Sequence, residues 1–245
     1  MHTYEAVQEQ IDEMRGWLRP AQARRLWELA RGVPPAGTVV EIGSFQGKST
    51  VLLASAVDQS AAVYAIDPHA GNDRAPGEWD SGTVEGEADR VMFFENLEKC
   101  GVRDRVISVR QFSQNAHHLV PAPIDLLYVD GAHGYAPALS DITGWGDRVV
   151  PGGAMAIHDV YTSLFVTLAV IRSLWCSTSW MYVGRVRSLA VYQRREVHGV
   201  EQFRNVARQV ANIPWFVKNL TVRAVGAIGL TRLAALGHAP GGGVY

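Results

Sequence analysis

The 245-residue sequence contains only two cysteines, Cys100 and Cys176. Two thiols are too few for a disulfide framework or a structural zinc site, so cysteine usage indicates a reducing compartment. An excess of one charge is also missing, because 23 basic residues face 24 acidic ones. This balance gives no reason to expect a polyanionic partner. We therefore expect a cytoplasmic protein that does not bind nucleic acid.

Long apolar runs are missing as well. Residues 1–18 carry acidic charge and no apolar core, which argues against a signal peptide or a membrane anchor. The most apolar long segment, 213–236, is interrupted by Lys218, Arg223 and Arg232, and these cations do not suit a membrane-spanning helix. We expect no transmembrane segment, and we interpret 213–236 as a packed helix or as part of a homodimer interface.

Short apolar runs alternate with helical patterns along most of the chain. Runs that are apolar throughout and alternate with helices form parallel sheets covered on both faces. Two further runs, 180–186 and 187–194, lie so close together that only a tight hairpin can join them. The sequence therefore predicts a doubly wound, Rossmann-like α/β fold of seven strands, with five parallel strands before a terminal antiparallel hairpin. The five parallel strands are predicted at 38–43, 61–67, 104–109, 124–131 and 152–160.

Helical patterns precede and follow this predicted sheet. Apolar residues at helical spacing run from Tyr4 to Leu18, and Pro20 is placed to open a second helix through Ala30. A further helix is expected over 136–149, between the fourth and fifth strands, and the tail from 199 onward is again helical in pattern. We expect three parts: an N-terminal helical extension at 1–35, an α/β core at 36–195 and a C-terminal helical extension at 196–245.

The first predicted strand leads into "EIGSFQGKST" at 41–50. Its Gly47-Lys48-Ser49 resembles the end of a phosphate-binding P-loop, but a P-loop needs four residues after its first glycine and Gly43 leaves only three. A dinucleotide fingerprint also needs another glycine two positions after Gly43, where the chain has Phe45. The remaining interpretation is a tight turn in which glycines let a ligand approach the backbone at a helix N-terminus.

Asp67 ends the second predicted strand, where an adenosine ribose receives a carboxylate in nucleoside-binding folds. Together "VVEIGSFQGKST", "YAID" and "VPGGAMAIHD" resemble class I S-adenosylmethionine (SAM)-dependent methyltransferases. In that family the glycine loop binds the methionine half of SAM, the acid after strand two binds the ribose, and metal-dependent members have a Ser-Gln pair at the adenine. The resemblance implies SAM as cofactor, bound by Glu41, Gly43, Ser44, Gly47, Ser49, Asp67, Ser113, Gln114 and Asp130.

Two neighbouring predicted strands end in candidate metal ligands. Asp130 follows the fourth strand, and His158 and Asp159 follow the fifth. The carboxyl ends of parallel strands gather ligands, and carboxylates suit Mg²⁺ or a similar dication such as Mn²⁺. The resemblance extends here to metal-dependent sugar O-methyltransferases and implies Asp130 and Asp159 as ligands. His158 departs from the family pattern, so it is either a third ligand or a histidine hydrogen-bonded beside the crevice.

His133 follows Asp130 by three residues. A histidine at this spacing resembles the general base of the sugar-modifying relatives, whereas catechol-type relatives have a lysine there. A histidine of ordinary pKa, ~6.5, is mostly neutral at neutral pH and can accept a hydroxyl proton. A bound dication would lower the pKa of that hydroxyl. We therefore expect His133 to be catalytic.

A long glycine-rich connection at 68–87 is a candidate lid, with His69 and Trp79 as substrate contacts, and Tyr135 is a third candidate contact. The histidine at 133 and the polar lid favour a sugar or glycoside acceptor, which includes a mannoside of a methylated polysaccharide. The alternatives are a catechol or polyketide hydroxyl, and a nucleotide-binding subunit without catalysis.

Overall fold

The computed structural model describes residues 3–71, 83–121 and 123–227. Trp79 and most of the candidate lid lie outside these ranges. Seven strands form a single sheet with the order β3-β2-β1-β4-β5-β7-β6. They are β1 (Thr38–Ile42), β2 (Ala62–Ile66), β3 (Val106–Val109), β4 (Ile124–Val129), β5 (Val149–Ile157), β6 (Trp180–Val186) and β7 (Leu189–Arg194).

Strand directions match the predicted fold. The pairs β1–β2, β2–β3, β1–β4 and β4–β5 are parallel, and β7 is antiparallel to both β5 and β6. The sheet is thus the doubly wound type with a terminal antiparallel hairpin, as predicted from the alternation of strands and helices. The bounds differ by a few residues. In particular β5 begins at Val149, before the predicted 152, since Val149 already pairs with Ile124.

Eight α-helices flank the sheet in the described ranges. They are α1 (Tyr4–Asp12), α2 (Pro20–Arg31), α3 (Lys48–Ala56), α4 (Thr83–Lys99), α5 (Tyr135–Ser140), α6 (Leu164–Leu174), α7 (Gly199–Val210) and α8 (Ile213–Ala227). Among the described residues no helix combines the length and apolar character needed to cross a membrane.

Adjacent strand residues belong to two separate cores. Val39 and Leu126 pack with side chains of α1 to α4 on one face, whereas Val40 and Leu127 pack with α6 and the segment after α5 on the other. Successive strand side chains point to opposite faces. A strand buried on both sides must therefore be apolar at every position, which is why the runs were recognisable in the sequence.

The N-terminal helix is shorter than predicted. It ends at Asp12, and Met14 and Leu18 are buried without being helical. Between them Gly16 has a φ of +152°, and a Cβ there would lie 3.1 Å from Cδ of Lys48. This bend brings residues 15–18 across the edge of the sheet instead of continuing the helix. Apolar spacing alone could not reveal it, because the buried positions continue at helical intervals.

The helix predicted over 136–149 is interrupted. Regular α-helix stops at Ser140, and Asp141–Trp145 form a π-helical turn. Such turns insert one residue into the helical repeat and occur often at functional sites. Here the turn buries Asp141 below the carboxyl edge of the sheet.

Candidate active site

A cleft of 520 Å³ opens at the carboxyl edge of β1, β2 and β4. Its walls come from the glycine loop after β1, from residues 66–71 after β2 and from residues 130–132 after β4. The bend at Arg15–Leu18 closes one side, and Ser113 and Gln114 contribute to the other. The cleft therefore lies where open α/β sheets bind their ligands.

The glycine loop is built around one close backbone contact. Gly43 has a φ of +87°, and a Cβ at this position would lie 2.2 Å from the carbonyl oxygen of Asp130. Only glycine fits such a contact, and its conformation turns the chain directly into the cleft. Gly47, with a φ of +86°, then precedes the first residue of α3. The loop thus makes the tight turn that the sequence predicted, and its residues Gly43 to Phe45 line the cleft.

Seven of the nine predicted cofactor contacts line the cleft: Gly43, Ser44, Ser49, Asp67, Ser113, Gln114 and Asp130. Ser44 fits a bound ligand well, because its hydroxyl oxygen is buried and has no hydrogen-bond partner among the described residues. Glu41 and Gly47 are not part of the described lining. For these two residues a direct contact with the cofactor stays a prediction.

Glu41 lies behind the glycine loop. Its carboxyl group accepts hydrogen bonds from the hydroxyl groups of Ser49 and Thr50, the latter at 2.5 Å. Complete burial raises the pKa of Glu41 to about 8, although the two hydroxyl groups oppose the shift. The side chain is therefore mostly a neutral acid near pH 7, and it joins β1 to the first turn of α3.

Asp67 ties the end of β2 to the glycine loop. Its Oδ2 accepts from the backbone N–H of Phe45 at 2.8 Å, and its Oδ1 accepts from the backbone N–H of His69 at 2.7 Å. A carboxylate offers about four acceptor sites, so these bonds leave capacity for the two hydroxyl groups of a ribose. The predicted ribose contact is compatible with this geometry and stays a prediction.

His69 is more deeply buried than is expected for a residue of a mobile lid. It is buried, its ring Nε2 lies 2.9 Å from the carbonyl oxygen of Phe45, and its ring packs edge-on against Phe93. It lines the cleft next to Asp67. The other described substrate candidate, Tyr135, is exposed at the start of α5 and does not line the cleft. Substrate contact by either residue remains a prediction.

Asp141 is a cleft residue that the sequence reading missed. Ser113 donates a hydrogen bond to its Oδ1 at 2.5 Å, so the serine of the predicted adenine pair is fixed by a buried acid. The segment "SDITGW" lies within the helix predicted over 136–149, and no local pattern singled out this acid. Only the π-helical turn gives it a place in the cleft wall.

A cluster of histidines and carboxylates lies beside the cleft, at the ends of β4 and β5. One ligand atom each from Asp130, His133 and Asp159 lies within 4.8 Å of the other two. Nε2 of His133 is 3.0 Å from Oδ2 of Asp159. Nδ1 of His158 is 3.3 Å from Oδ1 of Asp130 and 3.3 Å from Oδ2 of Asp159. The four residues predicted to form the chemical centre are therefore together.

Opposite charges shift the pKa values of Asp159 and His158 despite their burial. Burial raises the pKa of Asp159, but His158 and His133 outweigh it and hold the pKa well below its usual value. For His158 burial lowers the pKa, whereas the carboxylates of Asp130 and Asp159 raise it by more. Asp159 also has a φ of +57°, a conformation that is uncommon outside glycine and marks functional positions.

Tyr128 and Gln22 support the cluster and were not predicted. Tyr128 donates its hydroxyl hydrogen to Oδ2 of Asp130 at 2.8 Å. It lies on β4, two residues before Asp130. Residues two apart along a strand point to the same face, so the sequence alone could have predicted this contact. Gln22 comes from α2, and its Nε2 lies 3.1 Å from Nε2 of His158. Nothing in the sequence connects residues so far apart.

A divalent cation fits this donor set. Two carboxylates and one imidazole nitrogen within 4.8 Å are the ligand types that dications accept. Asp130 and Asp159 would supply the oxygens, and His133, although close enough to supply a nitrogen, is the predicted general base.

Fold and cleft together define a class: an open α/β sheet with a terminal hairpin and a glycine loop at its carboxyl edge is the Rossmann-like methyltransferase fold. Residues 40–160, which contain the loop and the whole histidine–carboxylate cluster, match a family model described as "Methyltransferase domain". By this match and by its fold, the chain contains a methyltransferase domain of the class I SAM-dependent type.

Solved structures share this fold at low sequence identity. The O-methyltransferase NovP aligns with a TM-score of 0.58 and 15% identity, over 80% of this chain and 90% of NovP. The O-methyltransferase TomG from Streptomyces achromogenes, solved with SAM, aligns with a TM-score of 0.55 and 16% identity, over 78% of this chain and 87% of TomG. A putative rRNA methylase from Clostridium thermocellum aligns with a TM-score of 0.53 and 16% identity, over 71% and 97%.

Proposed function

We propose that this methyltransferase transfers the methyl group of SAM to a hydroxyl group of a sugar or glycoside, with His133 as general base and a divalent cation as aid. The observation that carries the proposal is the contact between His133 and Asp159, 3.0 Å long, beside the cleft proposed for the donor. Methyl transfer from a sulfonium to an alcohol requires that the alcohol lose its proton, and a base must stand where the acceptor approaches.

His133 has the surroundings of a general base. Asp159 is ionised because its pKa is held well below the usual value by the neighbouring histidines. An ionised Asp159 accepts a hydrogen bond from Nε2–H of His133, which leaves the lone pair of a neutral ring on Nδ1. The carboxylate also stabilises the imidazolium that forms when the ring takes a proton.

Asp130 and Asp159 would hold the cation next to this base. When bound, the cation lowers the pKa of an acceptor hydroxyl and fixes its direction. The protein's own contribution is orientation: Tyr128 donates to Oδ2 of Asp130 at 2.8 Å, and Thr162 donates to Oδ1 of Asp159 at 3.1 Å. Preorganised groups of this kind supply much of the acceleration in group-transfer enzymes, and alignment of the reactants can contribute roughly 7–11 kcal/mol.

Two considerations support an oxygen acceptor on a sugar. NovP and TomG are described as O-methyltransferases, and a histidine takes the position where catechol-type relatives have lysine. The similarity to the putative rRNA methylase from Clostridium thermocellum makes RNA the acceptor that must be tested against it. Catechols and polyketide hydroxyls are the alternative oxygen acceptors. A protein that binds a nucleotide in the same cleft without catalysis is the non-enzymatic alternative.

The test is methyl transfer from labelled SAM to four acceptor panels: glycosides including mannosides, catechols, polyketide alcohols and RNA. Each panel is run with Mg²⁺, with Mn²⁺ and with a chelator. We expect label in a glycoside ether and a strong decrease with the chelator. Label found only in RNA or on nitrogen would contradict a sugar hydroxyl as acceptor. Unchanged rates with the chelator would contradict a role for the cation. Binding of SAM without any methyl transfer would favour a non-catalytic protein.

A further inference from the structure

We propose that the exposed side of α7 and α8 is a docking face for the anionic surface of a lipid bilayer. Five large apolar side chains of these two helices are exposed to solvent: Val200, Phe203, Val210, Ile213 and Val217. The exposed fraction is 74% for Phe203 and 68% for Val200. Apolar side chains exposed together on one surface commonly mark an interaction site.

Helix α7 has its apolar side turned outward. Its exposed apolar residues follow one another at steps of three and seven positions, which places them on one side of a helix. The two buried residues of α7 are polar, Asn205 and Gln209. Asn205 accepts from the backbone N–H of Tyr182 at 2.8 Å, and Gln209 accepts from the hydroxyl group of Tyr192 at 3.1 Å. A helix that faces only water on its outer side normally has the opposite arrangement.

Helix α8 extends the docking face. Its inner side is held by the body of the protein, because Trp215 and Phe216 pack edge-on against the ring of Tyr161. Asn219 also donates to the carbonyl oxygen of Tyr161 at 3.0 Å. The two exposed apolar residues of α8 are four positions apart and lie on the side opposite these contacts. The outer side of α8 is therefore presented to a partner on a helix whose inner side is fixed.

The docking face is positively charged. Residues 199–227 contain a single acid, Glu201, which pairs with Arg195. The same residues contain four exposed cations: Arg204, Arg208, Lys218 and Arg223. The whole chain is balanced, with 23 basic and 24 acidic residues, so this excess of positive charge is local. Cations therefore accompany the exposed apolar side chains on both helices.

An anionic lipid surface satisfies both properties of the docking face. Valine and phenylalanine side chains enter the boundary between headgroups and acyl chains, while arginine and lysine side chains reach the lipid phosphates. A second copy of this chain, docked by two-fold symmetry, would bring the same cationic surface against itself. A nucleic acid would neutralise the cations but would leave the valine side chains uncovered. We therefore assign the docking face to lipid.

The test is sedimentation of the intact protein with vesicles of phosphatidylcholine, with and without phosphatidylglycerol. We expect binding only to the vesicles that contain the anionic lipid, and weaker binding at high salt. Phe203→Glu should weaken binding roughly tenfold or more, because it places a carboxylate at the lipid boundary. Val91→Glu is the matched control, since Val91 is 51% exposed on α4, which precedes β3 at the opposite edge of the sheet.

The contribution of charge is tested with the double variant Arg204→Gln, Lys218→Gln. It should weaken binding to anionic vesicles roughly tenfold or more. The double variant Arg24→Gln, Lys99→Gln removes the same charge from exposed positions of α2 and α4 and should bind as the wild type does. All of these positions are on the surface, and urea denaturation checks that each variant is folded.

Three results would overturn the proposal: no binding to anionic vesicles, equal binding to neutral ones, or equal effects of Phe203→Glu and Val91→Glu. A lipid-free dimer that dissociates in Phe203→Glu, measured by analytical ultracentrifugation, would assign the face to a second copy instead. Binding to RNA that depends on Arg204 and Lys218 but not on Phe203 would assign it to nucleic acid. The proposal does not rest on the methyl acceptor, because vesicle binding is measured without one.

Discussion

The two halves of the site are held together in different ways. The candidate donor half, around Gly43, Asp67 and Ser113, is fixed largely by contacts to backbone: two N–H groups on Asp67 and the close approach of Gly43 to a carbonyl oxygen. The chemical half is held together largely by contacts between side chains, and it contains the ionised Asp159 and two histidines. Substitutions in the first half should therefore change donor affinity and stability, and substitutions in the second should change turnover.

The largest effect is expected for Gly43→Ala. The new Cβ would lie 2.2 Å from the Asp130 carbonyl oxygen, in addition to the strain of a φ of +87°. Gly152→Ala is a matched control because Gly152 has the same φ of +87° and nothing within 4 Å of its Cβ position. We expect Gly152→Ala to cost about 1 kcal/mol of unfolding free energy, and Gly43→Ala to cost clearly more, with loss of SAM binding. Equal unfolding free energies by urea denaturation would show that the contact does not matter.

His133→Ala tests the chemical half. Loss of a general base should lower kcat on the order of a hundredfold or more, while the Kd for SAM, measured by calorimetry, stays nearly constant. His118→Ala, at an exposed histidine of the turn after β3, should leave both constants unchanged. If kcat is unaffected in His133→Ala, the base is another residue.

Glu41 predicts a pH dependence of stability. Its pKa is raised from 4.5 to about 8 by burial, so between these values the folded state binds a proton that the unfolded state has lost. Stability from this group is complete below about pH 4.5 and is lost as the pH rises through about 8. At about 1.4 kcal/mol per pH unit between these values, the loss should be roughly 5 kcal/mol.

Glu41→Gln should remove this component, since a glutamine is neutral at all pH values and also donates and accepts. The measurement is urea denaturation of both proteins across that pH range. Glu28→Gln, at an exposed position of α2, should keep the wild-type profile. Identical profiles for wild type and Glu41→Gln would show that Glu41 is ionised in the folded protein.

The smallest effect is expected for Asp67→Asn. Asparagine replaces one carboxylate oxygen by an NH₂ group, so hydrogen bonds to the ribose and to the loop backbone are weakened. The Kd for SAM should therefore rise about tenfold, with little change in kcat at saturating SAM. Asp58→Asn is the matched control. Asp58 likewise accepts from a backbone N–H, that of Ser60, and in addition from the Ser60 hydroxyl group, but it lies outside the described cleft. A fall in kcat at constant Kd would place Asp67 in the chemical half.

Local sequence patterns predicted those parts of the site for which one strand or loop contains the whole signal. The glycine loop, Asp67 and the ends of β4 and β5 were located because a buried parallel strand must be apolar and its carboxyl end must face the ligand. These patterns did not predict the place of Asp141 or the end of α1, since a π-helical turn and a bend at Gly16 leave the spacing of apolar residues almost unchanged.

By itself the sequence determined the order of strands and helices and the residues at the carboxyl edge of the sheet, because local periodicity and burial on two faces fix both. Only the tertiary structure decided which partners those residues meet. The amide of Gln22 reaches His158, and Ser113 reaches Asp141, through packing between segments distant in the chain. Hydrogen-bond direction depends on such packing, and no local pattern of residues encodes it.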